Sequence, residues 1–205
     1  IFFVSCKKET TIDKTKTLPF YNSEEYTPQW ISQSDPNYTN IHTIAPFEFT
    51  NQNGKKITNK ELEGKIYIAD FFFTSCPSIC PILAKNMEAI QAYYKHDETI
   101  LLLSHSVMPW VDTVEKIKAY ATENNAIDAK WHLVTGDRNQ IYQLARNSYF
   151  ADEDYKKTKD ELEFIHTENF ILVDKKGRIR GVYNGTLALD IQRLQRHIEL
   201  LKLEY

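Results

Sequence analysis

Near the middle of this 205-residue chain, an apolar run leads directly into two closely spaced cysteines. Residues 65–73 read KIYIADFFF, and residues 74–81 continue as TSCPSICP. An apolar run of this length, broken here only by Asp70, is typical of a strand that is buried on both faces of a sheet. Four apolar residues then recur at the spacing of one helix face: Leu83, Met87, Ile90 and Tyr94. We therefore predict a strand, a thiol-bearing turn and a helix in direct succession.

The alternation of strand and helix then repeats. Residues 99–106 and 131–135 are apolar runs that predict two more buried strands. Asp112 follows the first run and Asp137 follows the second, and each has Glu or Gln three residues later. This spacing is that of a capping box, so both aspartates are expected to open helices. Asp112 has a second interpretation, as a group close to the thiols.

A hairpin and a helix are predicted at the end of the chain. Residues 170–174 and 178–183 read as two strands joined by Lys-Lys-Gly. The final helix is predicted from five apolar residues at regular spacing: Leu187, Ile191, Leu194, Ile198 and Leu201. His197 lies between two of these apolar positions and is expected to point to solvent. The mostly charged residues 151–163 are expected to form an exposed insertion.

The N-terminal part adds a hairpin and an irregular extension. Residues 42–57 predict a hairpin with its turn at Asn53-Gly54. Residues 18–38 contain three prolines and several aromatic residues, which indicates an irregular segment that packs against the domain. The order of elements predicts an α/β, thioredoxin-like fold with an N-terminal extension and hairpin.

The composition excludes several classes of protein. Hydrophobic residues make up 42% of the chain, which fits a globular core. The net charge of -3 lacks the basic excess that is usual in nucleic-acid-binding proteins, so no nucleic-acid partner is expected. Three cysteines are too few for a disulfide-stapled mini-domain. Nothing in the pattern indicates oligomerisation, and we expect a monomer.

The first residues carry a separate signal around Cys6. A short apolar run followed by Ser5 and Cys6 resembles the end of a bacterial lipoprotein signal peptide, in which the cysteine becomes lipidated. We expect Cys6 to attach the chain to the membrane of a bacterial cell envelope, with the domain on the periplasmic side. A free cysteine in a frayed tail is the alternative. Residues 1–17 are thus interpreted as signal remnant and flexible tether, and residues 18–205 as the domain.

The candidate reactive groups are the thiols of Cys76 and Cys80. A helix start favours thiolate over thiol, and we expect Cys80 to lie at or beside the N-cap. Residues four apart in helical geometry have Cβ atoms about 5–6 Å apart, which allows them to share one metal ion. A disulfide between them is also allowed, because it tolerates Cα separations of about 4.4–6.8 Å. The spacing alone leaves metal binding and redox exchange open.

A histidine favours metal binding over redox exchange at the two thiols. An ordinary thioredoxin-type oxidoreductase uses Cys-x-x-Cys and places a cis-proline opposite the thiols, but this chain has no proline after Pro109. His166 stands in the equivalent region, before the predicted strand at Phe170. Two thiolates and an imidazole suit copper, and suit zinc less selectively. His105, after the second central strand, is a weaker candidate for the same site.

The residues around the thiols resemble the Sco/SenC family of copper proteins. The resemblance begins with FTSCPSICP at residues 73–81, continues through residues 103–113 and the His166 segment, and covers about residues 18–205. It implies that Cys76, Cys80 and His166 bind one copper ion, as Cu+ or Cu2+. It also implies a role in delivering copper to the CuA centre of cytochrome c oxidase, or in reducing the cysteines of that centre.

Three residues depart from the family pattern. Ser78 stands where many members have an acidic residue, and Met108 and Trp110 alter the Asp-Pro-x-x-Asp pattern. None of these changes removes a ligand, although they leave the copper affinity and the redox potential open.

Two functions remain from the sequence. The first is a copper metallochaperone rather than an enzyme, with the CuA-bearing oxidase subunit as its partner. The second is a thiol–disulfide reductase, which needs the redox-active thiols Cys76 and Cys80 but not His166. A peroxidase or redox sensor has no positive sequence feature.

Overall fold

The structure is a computed structural model that describes residues 16–152 and 167–205. Within these ranges the strands are β1 Glu48–Asn51, β2 Lys56–Thr58, β3 Ile66–Phe72, β4 Ile100–Ser106, β5 Trp131–Thr135, β6 Asn169–Val173 and β7 Ile179–Asn184. The α-helices are α1 Asn59–Leu62, α2 Cys80–Tyr93, α3 Val114–Glu123, α4 Arg138–Asn147 and α5 Ala188–Lys202. A 3-10 helix spans Pro36–Asn40.

The strands form one sheet in the order β2-β1-β5-β4-β3-β6-β7. Strands β3, β4 and β5 are parallel, β6 runs antiparallel to β3, and β7 runs antiparallel to its hairpin partner β6. The β1–β2 hairpin extends the opposite edge by pairing β1 with β5. Its turn contains Gly54 at φ 72°, a conformation that glycine adopts without strain. The predicted thioredoxin-like α/β fold and both hairpins are confirmed.

The central strand β3 is buried on both faces, as predicted. Ile66, Ile68 and Phe72 point into one core, with α2 and α5, while Tyr67 and Phe71 point into the other. The alternation follows from the pleat, because successive side chains of a strand face opposite sides of the sheet. The apolar faces predicted for α2 and α5 are buried, apart from Leu187, which is the exposed N-cap of α5.

A buried arginine connects the N-terminal extension to the sheet. Arg180 donates to the backbone carbonyls of Leu18 and Pro19 at 2.7 and 3.1 Å. It also pairs with Asp174 at 3.3 Å and with Glu204 at 2.7 Å. A buried charge is costly unless it is paired, and here the guanidinium is surrounded by acceptors. The extension therefore packs against β7 and the end of the chain, as predicted for residues 18–38.

The two predicted helix caps have different outcomes. Asp137 caps α4 and accepts a hydrogen bond from the Gln140 amide at 2.9 Å, as predicted. The prediction that Asp112 caps α3 is wrong, because the N-cap is Thr113, which accepts from the Lys116 amide at 3.4 Å. The carboxylate of Asp112 is instead buried below the helix start.

The expectation that His197 points to solvent is also wrong. Its ring is half-buried, and Nδ1 lies 2.8 Å from the hydroxyl of Tyr183. Tyr183 comes from β7, so only the pairing of α5 with the sheet brings the two together.

Four predicted features fall wholly or partly on residues that the structure does not describe. They are Cys6, most of the tether, most of the charged insertion and His166. In the described part, no helix combines the length and the apolar character that a membrane-spanning segment requires.

His105 is enclosed by aromatic rings in the core that contains Phe71. It is 0% exposed, and neither ring nitrogen has a hydrogen-bond partner among the described residues. Phe71 stacks on it with ring centroids 5.2 Å apart, and Phe47, Phe49 and Tyr149 complete the enclosure at 5.4–5.8 Å. Burial lowers the pKa of His105 from 6.5 to about 3, because the enclosure cannot solvate an imidazolium.

We expect His105→Phe to remove an acid-sensitive component of stability. The folded ring stays neutral, whereas the unfolded chain takes up a proton below its ordinary pKa of 6.5. Through this ring the free energy of unfolding falls as the pH drops below 6.5, by up to about 1.4 kcal/mol per pH unit. Chemical denaturation of the parent and the variant at about pH 7 and pH 5 measures the difference. The exposed His96→Gln is the control, and parallel pH profiles for His105→Phe and the parent would refute the assignment.

Candidate metal and thiol site

The two thiols lie at the turn between β3 and α2. Strand β3 ends at Phe72, and α2 begins at Cys80, with Ile79 as an N-cap that makes no side-chain hydrogen bond. Pro81 occupies the first turn of α2, where its missing N–H has no helical partner to lose. Cys76 is half-buried and Cys80 is 3% exposed, and both are free thiols. The predicted placement of the thiols at the strand-to-helix turn is confirmed.

Hydrogen bonds favour the thiolate of Cys76. Partial burial opposes its ionisation, but the backbone amides of Cys80 and Ser78 and the side chains of the same two residues bond to its sulfur. Together they lower the pKa of Cys76 from 9.0 to about 7. The Ser78 hydroxyl lies 3.8 Å from the sulfur. The residue that departs from the family pattern is therefore a donor, whereas a carboxylate there would disfavour the thiolate.

At Cys80 the effect of burial outweighs that of hydrogen bonds. Burial raises the pKa of Cys80 from 9.0 to about 12, and the nearby Cys76 and Asp70 add to the effect. The expectation that the helix start favours the Cys80 thiolate is wrong, because its sulfur is enclosed by the core. The amides at the start of α2 act on the more exposed Cys76 instead. The pair thus has one reactive thiol and one protected thiol.

The Asp112 carboxylate holds the thiol loop to the neighbouring strand. It accepts from the Thr74 hydroxyl at 2.6 Å and from the Thr74 amide at 3.2 Å. It also accepts from the Ser106 hydroxyl at 2.6 Å. Thr74 is two residues before Cys76, and Ser106 ends β4. Of its two sequence interpretations, the one that places Asp112 close to the thiols is therefore the one that the structure supports.

A cavity of 260 Å³ opens beside the thiols. Its described lining is uncharged and consists of Phe71, Phe73, Cys76, Pro77, Ser78, Ile79, Cys80, Val107 and Thr167. Thr167 comes from the distant β6 end of the chain and is the residue directly after His166.

The donor set fits a soft metal ion through its two sulfurs. Cys80 bonds to the Cys76 sulfur, so both atoms can reach one ion. Within residues 16–152 and 167–205, no third histidine, cysteine or carboxylate joins them in a metal-binding group. The other predicted ligand, His166, lies outside the described residues. His105 does not line the cavity, and its ring packs against Phe49, Phe71 and Tyr149.

We expect the two thiols to differ in alkylation rate at neutral pH. In a Cys6→Ser background, Cys80→Ser leaves Cys76 as the target, and its rate should rise with pH around a midpoint near 7. Cys76→Ser leaves the buried Cys80, which should react far more slowly up to about pH 9. Ser78→Ala should move the Cys76 midpoint to higher pH, because one donor is lost. Iodoacetamide trapping with mass spectrometry measures the alkylation rates. Equal rates for the two single-thiol variants would contradict the assignment.

We expect Asp112→Ala to destabilise the protein more than Asp137→Ala, although both residues fit the same sequence pattern. Loss of Asp112 leaves the buried Ser106 hydroxyl without its acceptor, at a cost of about 1–3 kcal/mol, and also removes the acceptor of the half-buried Thr74. Loss of the Asp137 cap costs about 1 kcal/mol. Urea denaturation of both variants measures the difference. A cost for Asp112→Ala that is no larger than that for Asp137→Ala would refute its role in holding the thiol loop.

Comparison with known proteins adds the family. A sequence model of the family described as SCO1/SenC matches residues 36–201. The SCO1 protein homolog of Bacillus subtilis is 32% identical over 146 residues, which make up 70% of this chain and 75% of the relative.

Solved structures share the fold. A SCO1/SenC family lipoprotein from Bacillus anthracis has a TM-score of 0.68 at 28% identity, covering 78% of this chain and 95% of its own. BsSco, a member of the Sco family of cytochrome c oxidase assembly proteins in which a disulfide switch is identified, has a TM-score of 0.65 at 27% identity, with 80% and 95% covered. ScoI from Bradyrhizobium japonicum, with copper bound, has a TM-score of 0.57 at 28% identity, with 76% and 99% covered. The chain, with its thiol pair between β3 and α2, belongs to the SCO1/SenC family.

Proposed function

We propose that this protein is a copper metallochaperone that binds one copper ion through Cys76, Cys80 and His166. The observation that carries the proposal is the meeting of three chain segments at one cavity: the thiol loop, the start of α2, and Thr167 directly after His166. Copper bound to ScoI of Bradyrhizobium japonicum supports copper as the cargo.

The chemistry of the donors supports copper over harder ions. Thiolate sulfur selects Cu(I) and related soft ions, and imidazole accepts both copper oxidation states. The lowered pKa of Cys76 makes one sulfur available as thiolate near neutral pH. The raised pKa of Cys80 means that this thiol gives up its proton on metal binding, so uptake is pH-dependent. The uncharged cavity wall places no competing anionic ligand among its described residues.

The proposed partner is the cytochrome c oxidase subunit that carries the CuA site. Oxidase assembly is the role of the Sco family to which BsSco belongs. We propose that the domain acts in the bacterial cell envelope, held to the membrane by lipidated Cys6, with no nucleic-acid partner and as a monomer. The lipoprotein from Bacillus anthracis supports the membrane anchor.

The alternative function is reduction of a partner's disulfide, and the difference between the two thiols favours it. The Cys76 thiolate would attack the partner disulfide, forming a mixed disulfide and releasing one partner thiolate. Cys80, after losing its proton, would attack the Cys76 sulfur and release the second partner thiol. The partner gains two electrons, and an external dithiol must then reduce the Cys76–Cys80 disulfide. The disulfide switch of BsSco supports this alternative.

We expect His166→Ala to weaken copper binding by more than about 100-fold, because even loss of a residue that only supports a ligand costs about 10- to 100-fold. The reduced Cys6→Ser protein is titrated with copper in competition with a chromogenic chelator. His96→Ala is the control, because His96 is an exposed histidine distant from the cavity lining.

Disulfide exchange separates the two functions. His166→Ala should still reduce a peptide disulfide at the parent rate, since exchange needs only the two thiols. Copper binding by His166→Ala that is as tight as in the parent would refute the three-ligand proposal. If His166→Ala lost both disulfide exchange and copper binding, His166 would support the thiols rather than the metal.

A further inference from the structure

The loop after β4 presents an exposed tryptophan beside the thiol cavity. Trp110 is 55% exposed, so most of a large apolar side chain is in contact with water. It lies three residues after Val107, which lines the cavity. Three residues span at most about 11 Å, and Trp110 is therefore at the rim of the thiol site.

The turn that carries Trp110 is fixed to the thiol loop. The Asp112 amide donates to the Met108 carbonyl at 2.8 Å, which closes the turn. The Met108 amide donates to the Ser106 hydroxyl at 3.2 Å, and the Asp112 carboxylate accepts from the Thr74 hydroxyl at 2.6 Å. The backbone that presents the tryptophan is thus held in a constant position relative to the thiols.

The ring of Trp110 is held as well. The Arg138 guanidinium lies 5.7 Å from the centroid of Trp110 and 4.4 Å from that of Tyr142, distances at which a cation attracts an aromatic ring. The Tyr142 hydroxyl donates to the Val107 carbonyl at 3.0 Å, which joins this stack to the cavity wall. A side chain that is already held loses less freedom when a partner covers it, so the ring is preorganised for contact.

Exposed apolar side chains also flank the thiols on the other side. Strand β7 runs in the same direction as β3, because each is antiparallel to β6, so both strands end at the same edge of the sheet. Leu187 and Leu189 follow β7 and are exposed, as is Ile82 in the first turn of α2. The Asn86 side chain of α2 donates to the Gly185 carbonyl at 2.6 Å, which brings the two elements together. We call these exposed residues the apolar rim: Ile82, Trp110, Leu187 and Leu189.

The cavity itself is too small to enclose a copper acceptor. Its 260 Å³ lies below the range of about 300–1,000 Å³ that is usual for small-molecule sites, and Cys80 on its wall is 3% exposed. Copper that passes by ligand exchange requires the acceptor's sulfurs to bond to the ion as Cys76 and Cys80 release it. Only the tip of an acceptor protein can enter the cavity, so the residues around that tip must cover the rim.

We propose that the apolar rim is the docking surface for the copper acceptor, with Trp110 as its main anchor. The occupant is a protein that carries two cysteines at the tip of a loop and surrounds them with uncharged, apolar residues. Such a partner matches the rim and the uncharged cavity lining, because the cores of interfaces are depleted in charge and enriched in aromatic residues. The inference rests on the proposed function, because it presupposes copper transfer to another protein.

The test is copper transfer from the copper-loaded full chain with Cys6→Ser to the copper-free, reduced CuA domain of the oxidase subunit. Rapid separation and metal analysis at several acceptor concentrations give a half-saturating concentration and a maximal rate. We expect Trp110→Ala to raise the half-saturating concentration at least about tenfold, as for the loss of an aromatic anchor, and to leave the maximal rate unchanged. Trp110→Phe should stay within about threefold of the parent, because it keeps an aromatic ring at the anchor position.

Tyr93→Ala is the matched control, because Tyr93 is an exposed aromatic residue at the opposite end of α2 from Cys80. It should leave both transfer parameters unchanged. The copper affinity of Trp110→Ala, measured against a chromogenic chelator, should equal that of the parent, because the rim binds the acceptor rather than the ion. The alkylation rate of Cys76 in copper-free Trp110→Ala should also equal that of the parent.

The outcomes separate this inference from the proposed function. If the parent transfers copper and Trp110→Ala has the same half-saturating concentration, the inference is overturned and the proposed function stands. A fall in the maximal rate alone would also overturn it, since Trp110 would then act on copper release. A dimer of the protein in sedimentation that Trp110→Ala abolishes would show that a second copy covers the rim instead. A parent that transfers no copper to the CuA domain would contradict the proposed function first, and this inference with it.

Discussion

The parallel pairing of β3 with β4 brings Thr74 and Ser106 to one edge of the sheet, where the Asp112 carboxylate joins them. A buried carboxylate is tolerated because donors from the thiol loop and from β4 surround it. The turn that carries Cys76 is thereby attached to the rigid part of the domain rather than left as a surface loop. Metal binding and thiol exchange both need this attachment, because each requires the two sulfurs at a fixed separation.

The two thiols belong to the same residue type, but the fold shifts their pKa values in opposite directions. Burial dominates at Cys80 and raises its pKa, whereas hydrogen bonds from the start of α2 dominate at Cys76 and lower its pKa. The sulfur of Cys76 is the more accessible of the two. The same asymmetry serves a metallochaperone and a reductase, which explains why the pair alone does not separate the two functions. In the proposed function, it is His166 that separates them.

Local pattern predicted the elements well because each has a strong local cause. The apolar run before the thiols is β3, and the Asp137 capping box opens α4. The wrong predictions involve contacts and burial that arise only in the folded domain. Asp112 has the local pattern of a cap, but the donors that claim it come from β4 and the thiol loop, 6 and 38 residues away. His197 lies beside apolar helix positions, but its contact is Tyr183 on β7.

Residues close together in the chain, or a single motif, were enough to predict the succession of strand, thiol turn and helix, the family and the candidate ligands. The folded domain was needed to show which thiol ionises more easily, which aspartate holds the thiol loop, and that Arg180 connects the N-terminal extension to the sheet. Burial and long-range hydrogen bonds arise only when distant segments pack together. They therefore leave no periodic or local signature in the chain.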